Sequence, residues 1–170
     1  MTGSVWLDEA RAYPNGVVAT PHYLASAAGA AMLADGGNAV DAALAANLTL
    51  AIVTPYMCGF GGDLLTIVWD GAVNAYRGVG RAPAGASPDA VRAQSGSTSM
   101  PQFGPHPITV PGAIDGWFTM LEKWGTRSFG EVAKRALHYA EEGFPVTKRG
   151  AFFFARTAQM FEYFDLHSFG

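Results

Sequence analysis

A helix-rich α+β fold is what this sequence predicts, and three observations carry it. Leu24 to Thr54 reads as an alanine-packed helical hairpin, Ser87 and Ser128 sit where helices are capped, and two short apolar runs meet at Asp70-Gly71.

The hairpin breaks once, at Asp35-Gly36-Gly37-Asn38. Alanine loses no side-chain entropy in a helix, so Leu24 to Leu33 and Ala39 to Val53 both favour that state. Gly36 and Gly37 suit a left-handed helix stop, Asn38 is an N-cap, and Asp41 reaches back to complete a capping box. Thr54 ends the second helix, because the residue before Pro55 is pushed out of the α region. Neither helix has a clean polar face, so burial of both is expected.

The other elements follow in order. Residues 1–15 read as loosely ordered, with a turn at Tyr13-Pro14-Asn15-Gly16. Residues 16–20, ending before Pro21, read as a short buried strand. A glycine-rich loop, residues 56–63, leads into a strand over 64–69. Asp70-Gly71 favours the type I′ turn, with the partner strand over 72–77. Residues 78–88 are irregular, and residues 89–92 form one helical turn behind Ser87 and Pro88. Residues 95–107, polar and rich in glycine and proline, read as loosely ordered. A helix over 113–124 places Ile114, Trp117, Phe118 and Leu121 on one face. The Ser128/Glu131 capping box opens another over 129–142, Gly143 stops it, and a last helix runs from Thr147 to about Phe164.

The 170 residues suit a single domain. Charged residues make up 15% of the chain and hydrophobic ones 49%, which leaves little charged surface and points to apolar area covered by a partner or by further chain. A net charge of −3 gives no electrostatic footprint for nucleic acid. The apolar runs of the hairpin are shorter than the roughly 20 residues of a membrane span. With no basic-then-apolar leader in the sequence, a cytoplasmic location is the expectation.

Chemistry-bearing residues are sparse. Gly59-Phe60-Gly61-Gly62 follows a helix and precedes a strand, the reverse of a dinucleotide fingerprint, so a tight turn is the better reading and no cofactor is expected. His22, His106, His138 and His167 lie in separate segments without ligand spacing, so no metal is expected. The single Cys58 excludes an internal disulfide and has no evident partner histidine. Glu141 and Glu142 close a helix and read as solvated. No Gly-x-Ser-x-Gly elbow is present, and the residues alone offer no catalytic constellation.

A series of motifs nevertheless resembles the gamma-glutamyltranspeptidase family, in that family's order, from Gly16 to about Gly150. They are Gly16-Val17-Val18-Ala19-Thr20-Pro21-His22, Leu24-Ala25-Ser26 with Ala28-Gly29, and Gly36-Gly37-Asn38-Ala39-Val40-Asp41-Ala42-Ala43, the most specific. Gly59-Phe60-Gly61-Gly62, Ala82-Pro83-Ala84, Val110-Pro111-Gly112 with Gly116, and Ala140 with Gly143-Phe144-Pro145-Val146 complete the series. The resemblance implies an N-terminal nucleophile hydrolase, a four-layer αββα sandwich of which this chain is the front of the large subunit. It implies a precursor that cuts itself, and a threonine at the new N-terminus of the small subunit that attacks a gamma-glutamyl amide such as glutathione. That threonine's own amine is the base, and backbone N–H groups hold the oxyanion.

Two departures shape the expectation. The motifs match only the front of the large subunit, so no catalytic residue is assigned here, and the chain alone is expected to be inactive. Its expected partners are the rest of the large subunit, the small subunit with its threonine, and a small-molecule amide. In the transpeptidases an arginine shortly before the Ala-Pro binds the α-carboxylate of the glutamyl group; here Val79 stands there, with Gly80 in place of the following glutamate. Gly78-Val79-Gly80-Arg81-Ala82-Pro83 instead resembles the branch that includes amidohydrolases of small amides such as oxamate. Valine cannot form arginine's bidentate contact. Arg81 is the candidate substrate-binding residue, since i and i+2 share a side on an extended chain; the alternative is an ordinary scaffold arginine. The competing functional reading is a non-catalytic scaffold remnant or partner subunit. A nucleophilic Thr2 exposed by removal of Met1 is disfavoured, because Thr2-Gly3-Ser4 does not begin a strand-like run.

Overall fold

The computed structural model describes residues 13–102 and 104–163. Six helices and one two-stranded sheet appear among them: α1 Tyr23–Ala34, α2 Ala39–Val53, β1 Leu64–Trp69, β2 Val73–Gly78, α3 Pro88–Ser95, α4 Ala113–Trp124, α5 Phe129–Glu142 and α6 Lys148–Tyr163. The expected α+β class, rich in helix, is what the chain adopts. The Thr2 proposal and His167 lie outside the described residues, as does most of the 1–15 segment.

α2 is the central element. Its Val40, Leu44, Ala45 and Leu48 form one core with Leu64 of β1, Trp117 and Met120 of α4, and Val132 and Ala136 of α5. The break between α1 and α2 is built as expected. Gly36 takes φ +83°, and Asn38 Oδ1 accepts from the amides of Val40 (2.9 Å) and Asp41 (3.0 Å), while Asp41 Oδ2 accepts from the Asn38 amide (2.9 Å). The α5 capping box is also present, with Glu131 Oε2 accepting from the Ser128 amide at 2.9 Å.

Five expectations need correction. Residues 16–20 form no strand: β1 and β2 pair only with each other among the described residues, and Val17 is 62% exposed. A strand is defined by a backbone partner, which an apolar run cannot supply for itself. α1 is buried on one side only, through Leu24, Ala25, Ala28 and Gly29, with Ala27 and Ala30 exposed. Methyl side chains expose so little apolar area that leaving them in water costs little.

The turn between the strands holds Asp70, Gly71 and Ala72, since Trp69 pairs with Val73, and β2 starts one residue later than expected. Side chains clamp it: Asn74 Nδ2 donates to Asp70 Oδ1 (2.7 Å), and Trp124 Nε1 donates to Asp70 Oδ2 (2.9 Å). α3 is a full helix, capped by Ser87 Oγ on the Ala90 amide (3.1 Å) and stopped at Gly96 with φ +66°. α4 buries Ala113, Gly116, Trp117 and Met120, with Ile114 and Phe118 exposed. A Cβ on Gly116 would lie 2.8 Å from Leu64 Cδ2, so the sheet docks where the helix has no side chain. Reading the buried face from residue size misses this.

Candidate functional site

Three of the glycine motifs that lie far apart in sequence meet at one backbone crossing. β2 runs on through Gly78-Val79-Gly80-Arg81, and this strip passes directly over Val110-Pro111-Gly112 at the entry to α4. The approach is closer than any side chain permits: a Cβ on Gly80 would fall 1.5 Å from the Val110 carbonyl oxygen, and one on Gly112 would fall 2.3 Å from that of Gly78. The Val110 amide donates to the Arg81 carbonyl at 3.2 Å, fastening the strip downstream of the crossing. From the other side, the Gly62 carbonyl accepts from the amides of Gly112 (3.1 Å) and Ala113 (2.9 Å), so the glycine-rich loop is tied to the same point. That loop rests on α4, where Phe60 meets Trp117 edge-on with ring centroids 5.4 Å apart. Trp117 is buried, and its Nε1 donates to Asn47 Oδ1 of α2 at 2.7 Å.

Arg81 therefore sits at the margin of a fixed frame. Gly80 turns its Cα toward Val110, and on a strip continuing from β2 the side chains of Val79 and Arg81 leave on the opposite side. Both residues are exposed, and among the described residues no carboxylate pairs with Arg81. The geometry leaves a guanidinium available, with five donors, to a planar anion arriving from that side.

The other chemistry-bearing residues are scattered. His22 Nδ1 accepts from the Leu24 amide at 3.3 Å and caps α1, and burial lowers its pKa. His138 tilts against Tyr139 on α5. Cys58 Sγ lies 3.8 Å from Thr54 Oγ1. Glu141 and Glu142 are exposed at the end of α5. Among the described residues no three His, Cys, Asp or Glu side chains gather as a metal group, and no helix is long and apolar enough to cross a membrane.

One residue does more than sequence reasoning assigned to it. Asp41 is fully buried, and besides its cap it holds the loop between α4 and α5. Its carboxylate accepts from the Thr126 amide (3.0 Å), the Thr126 hydroxyl (2.5 Å) and the Arg127 amide (3.2 Å). Burial pushes its pKa up, but the Thr126 hydroxyl and the Asn38, Thr126 and Arg127 amides together outweigh that and hold it below the usual carboxylate value. Arg127 completes the joint by donating to the Asp35 carbonyl. Asp41 thus locks two distant corners, and nothing local in the sequence points to the second one.

With this frame in view, the relatives are informative. The sequence model of a family described as Gamma-glutamyltranspeptidase matches residues 25–169. The glutathione hydrolase-like YwrD proenzyme of Bacillus subtilis (strain 168) is 41% identical over 135 residues, covering 77% of this chain and 25% of that protein. The glutathione hydrolase proenzyme of the same organism is 39% identical over 138 residues, covering 78% and 24%. An oxamate amidohydrolase proenzyme of Klebsiella pneumoniae also matches, at 33% identity, covering 78% and 26%. Among solved structures, the gamma-glutamyltranspeptidase of Pseudomonas nitroreducens complexed with L-DON superposes with a TM-score of 0.78 at 27% identity, over 89% of this chain and 46% of that one. This chain spans about a quarter of the length of the curated relatives it matches.

Proposed function

The chain belongs to the gamma-glutamyltranspeptidase family, and on that premise we propose that it is the front of the large subunit of an N-terminal nucleophile amide hydrolase. In this reading the rest of the large subunit and a small subunit complete an αββα sandwich. The small subunit supplies the threonine that attacks the amide and the amine that takes its proton. This chain supplies frame and substrate contacts rather than the reacting groups. The observation that supports the reading is the crossing at Gly80 and Val110, where three glycine motifs far apart in sequence meet with Val79 and Arg81 exposed beside them.

The substrate follows from those two side chains. A gamma-glutamyl group brings an α-carboxylate that must leave water, and a buried carboxylate without a partner is costly. With valine at position 79, Arg81 is the candidate at this margin to meet it. We therefore favour small amides over glutathione as the substrates of the complete enzyme, with Arg81 as the contact for a carboxylate where the substrate has one.

Extending the coding sequence beyond codon 170 and expressing the whole precursor supplies the enzyme for the test. In it, kcat/KM for glutathione and for a small amide acid such as oxamate should favour the latter. Arg81→Ala should lower the value for carboxylate-bearing substrates roughly ten- to a hundredfold, and Val79→Arg should raise that for glutathione. A strong preference for glutathione that survives Arg81→Ala would overturn the assignment.

A further inference from the structure

We propose that Tyr76 is a positioning residue for Arg81: its ring and hydroxyl fix residues 78–81 against the start of α4, and so set where the exposed guanidinium stands. The inference rests on the substrate contact proposed above and deepens it, because Tyr76 acts on that contact through the crossing.

The strip lies along the entry to α4 in a definite order. Every second residue of an extended segment shares a side, and exposure separates the two rows: Ala75, Arg77, Val79 and Arg81 are exposed, whereas Gly78 is buried and Tyr76 and Gly80 are half-buried. The covered row meets successive parts of one partner. Gly80 lies against the Val110 carbonyl, Gly78 against that of Gly112, and Tyr76 against Gly116. One large residue is thus followed by two without side chains, and of the three Tyr76 alone can set a spacing.

The two glycines need such a spacer, since glycine restricts its own backbone less than any other residue. Gly78 closes the ladder opposite Leu64, and the next backbone hydrogen bond is the one from Val110 to Arg81. Among the described residues Val79 and Gly80, which lie between, make none. Tyr76 bridges both sides of the joint just ahead of this span. A Cβ on Gly78 would lie 3.1 Å from Tyr76 Cε1, and one on Gly116 would lie 3.3 Å from the same atom. A single ring edge therefore rests on the end of β2 and on α4 together. The phenol hydroxyl donates to Asp115 Oδ2 at 3.1 Å, in the first turn of α4. Lys123, two turns further along that helix, places its Nζ 5.9 Å from the ring centroid. One helix thus holds the ring at its edge, its hydroxyl and its face. A displacement of about 1 Å can cost a substrate contact roughly a hundredfold in rate, so a spacer at this point bears on recognition as well as on stability.

Two measurements test this. The first uses the 170-residue chain. Tyr76→Leu keeps an apolar side chain against α4 and removes the ring edge and the hydroxyl. Exchange of the Val110 amide should speed about fivefold while α2 and α5 keep wild-type rates, and Tyr76→Phe should restore most of the protection. Unchanged exchange at Val110, or equal acceleration through α2, α5 and Val110, overturns the spacer. The second measurement uses the whole precursor with oxamate as substrate. Tyr76→Leu should raise KM about tenfold and leave kcat within about twofold, and in an Arg81→Ala background it should change KM by less than about twofold. The same KM rise in both backgrounds, or a fall in kcat alone, marks a structural role and overturns the proposal. If Arg81→Ala raises KM and Tyr76→Leu does not, the positioning role falls while the Arg81 contact stands. If Arg81→Ala leaves KM unchanged, both fall.

Discussion

Asp41 is where a single atom group carries most consequence. Four donors converge on its carboxylate in a dry site, so removing the charge leaves buried N–H groups without an acceptor. Asp41→Ala should cost about 2–3 kcal/mol of unfolding free energy, measured by urea titration. The pH dependence has a definite sign. The folded pKa lies below the unfolded value, so the contribution is fully present above about pH 4 and fades as pH falls through the folded pKa. Urea titrations between pH 3 and 7 should show this loss in the wild type and a smaller one in Asp41→Asn. At the crossing the test is steric. Gly80→Ala must displace the Val110 carbonyl and should cost upwards of about 2 kcal/mol. Gly85→Ala meets nothing within 4 Å and should be near neutral on the same titration.

At the scale of elements, what is local was legible. The capping residues of α2, α3 and α5 lie within three positions of the amides they serve, so Asn38, Ser87 and Ser128 announce their helices in the sequence. What depends on distant chain was not. The docking face of α4 is set by Leu64 of β1 reaching Gly116, and the turn at Gly71 is shaped by Trp124 of another helix. The 16–20 run forms no strand because no backbone partner lies beside it among the described residues. For the candidate site, the motifs were recognisable one by one, but their meeting at one crossing required the fold. α6 offers a separate test. It meets the rest of the protein at Tyr56, which stacks on Phe153 with centroids 4.9 Å apart and meets Phe154 edge-on at 5.4 Å. Tyr56→Ala should speed amide exchange throughout α6 while α2 and α5 keep their protection, as read by exchange mass spectrometry.

For the whole molecule, the sheet sets the behaviour. Leu65, Ile67, Trp69 and Val73 share one face of the hairpin and all are exposed, with Ile67 at 79%. An apolar face of this kind beside open strand edges promotes association. The purified chain should therefore self-associate and bind a hydrophobic dye, and Ile67→Lys with Trp69→Lys should reduce both, as measured by light scattering and dye fluorescence. The same composition that left few charges in the sequence is explained by this uncovered face. The crossing has a different kind of consequence. Its frame is held by the absence of side chains at positions 78, 80 and 112, whereas positions 79 and 81 are exposed. Mutation can therefore rewrite the two outward residues without disturbing the joint that mounts them. Such a layout gives evolution a cheap dial: descendants of one ancestor can vary an exposed pair of residues while inheriting the same scaffold unchanged.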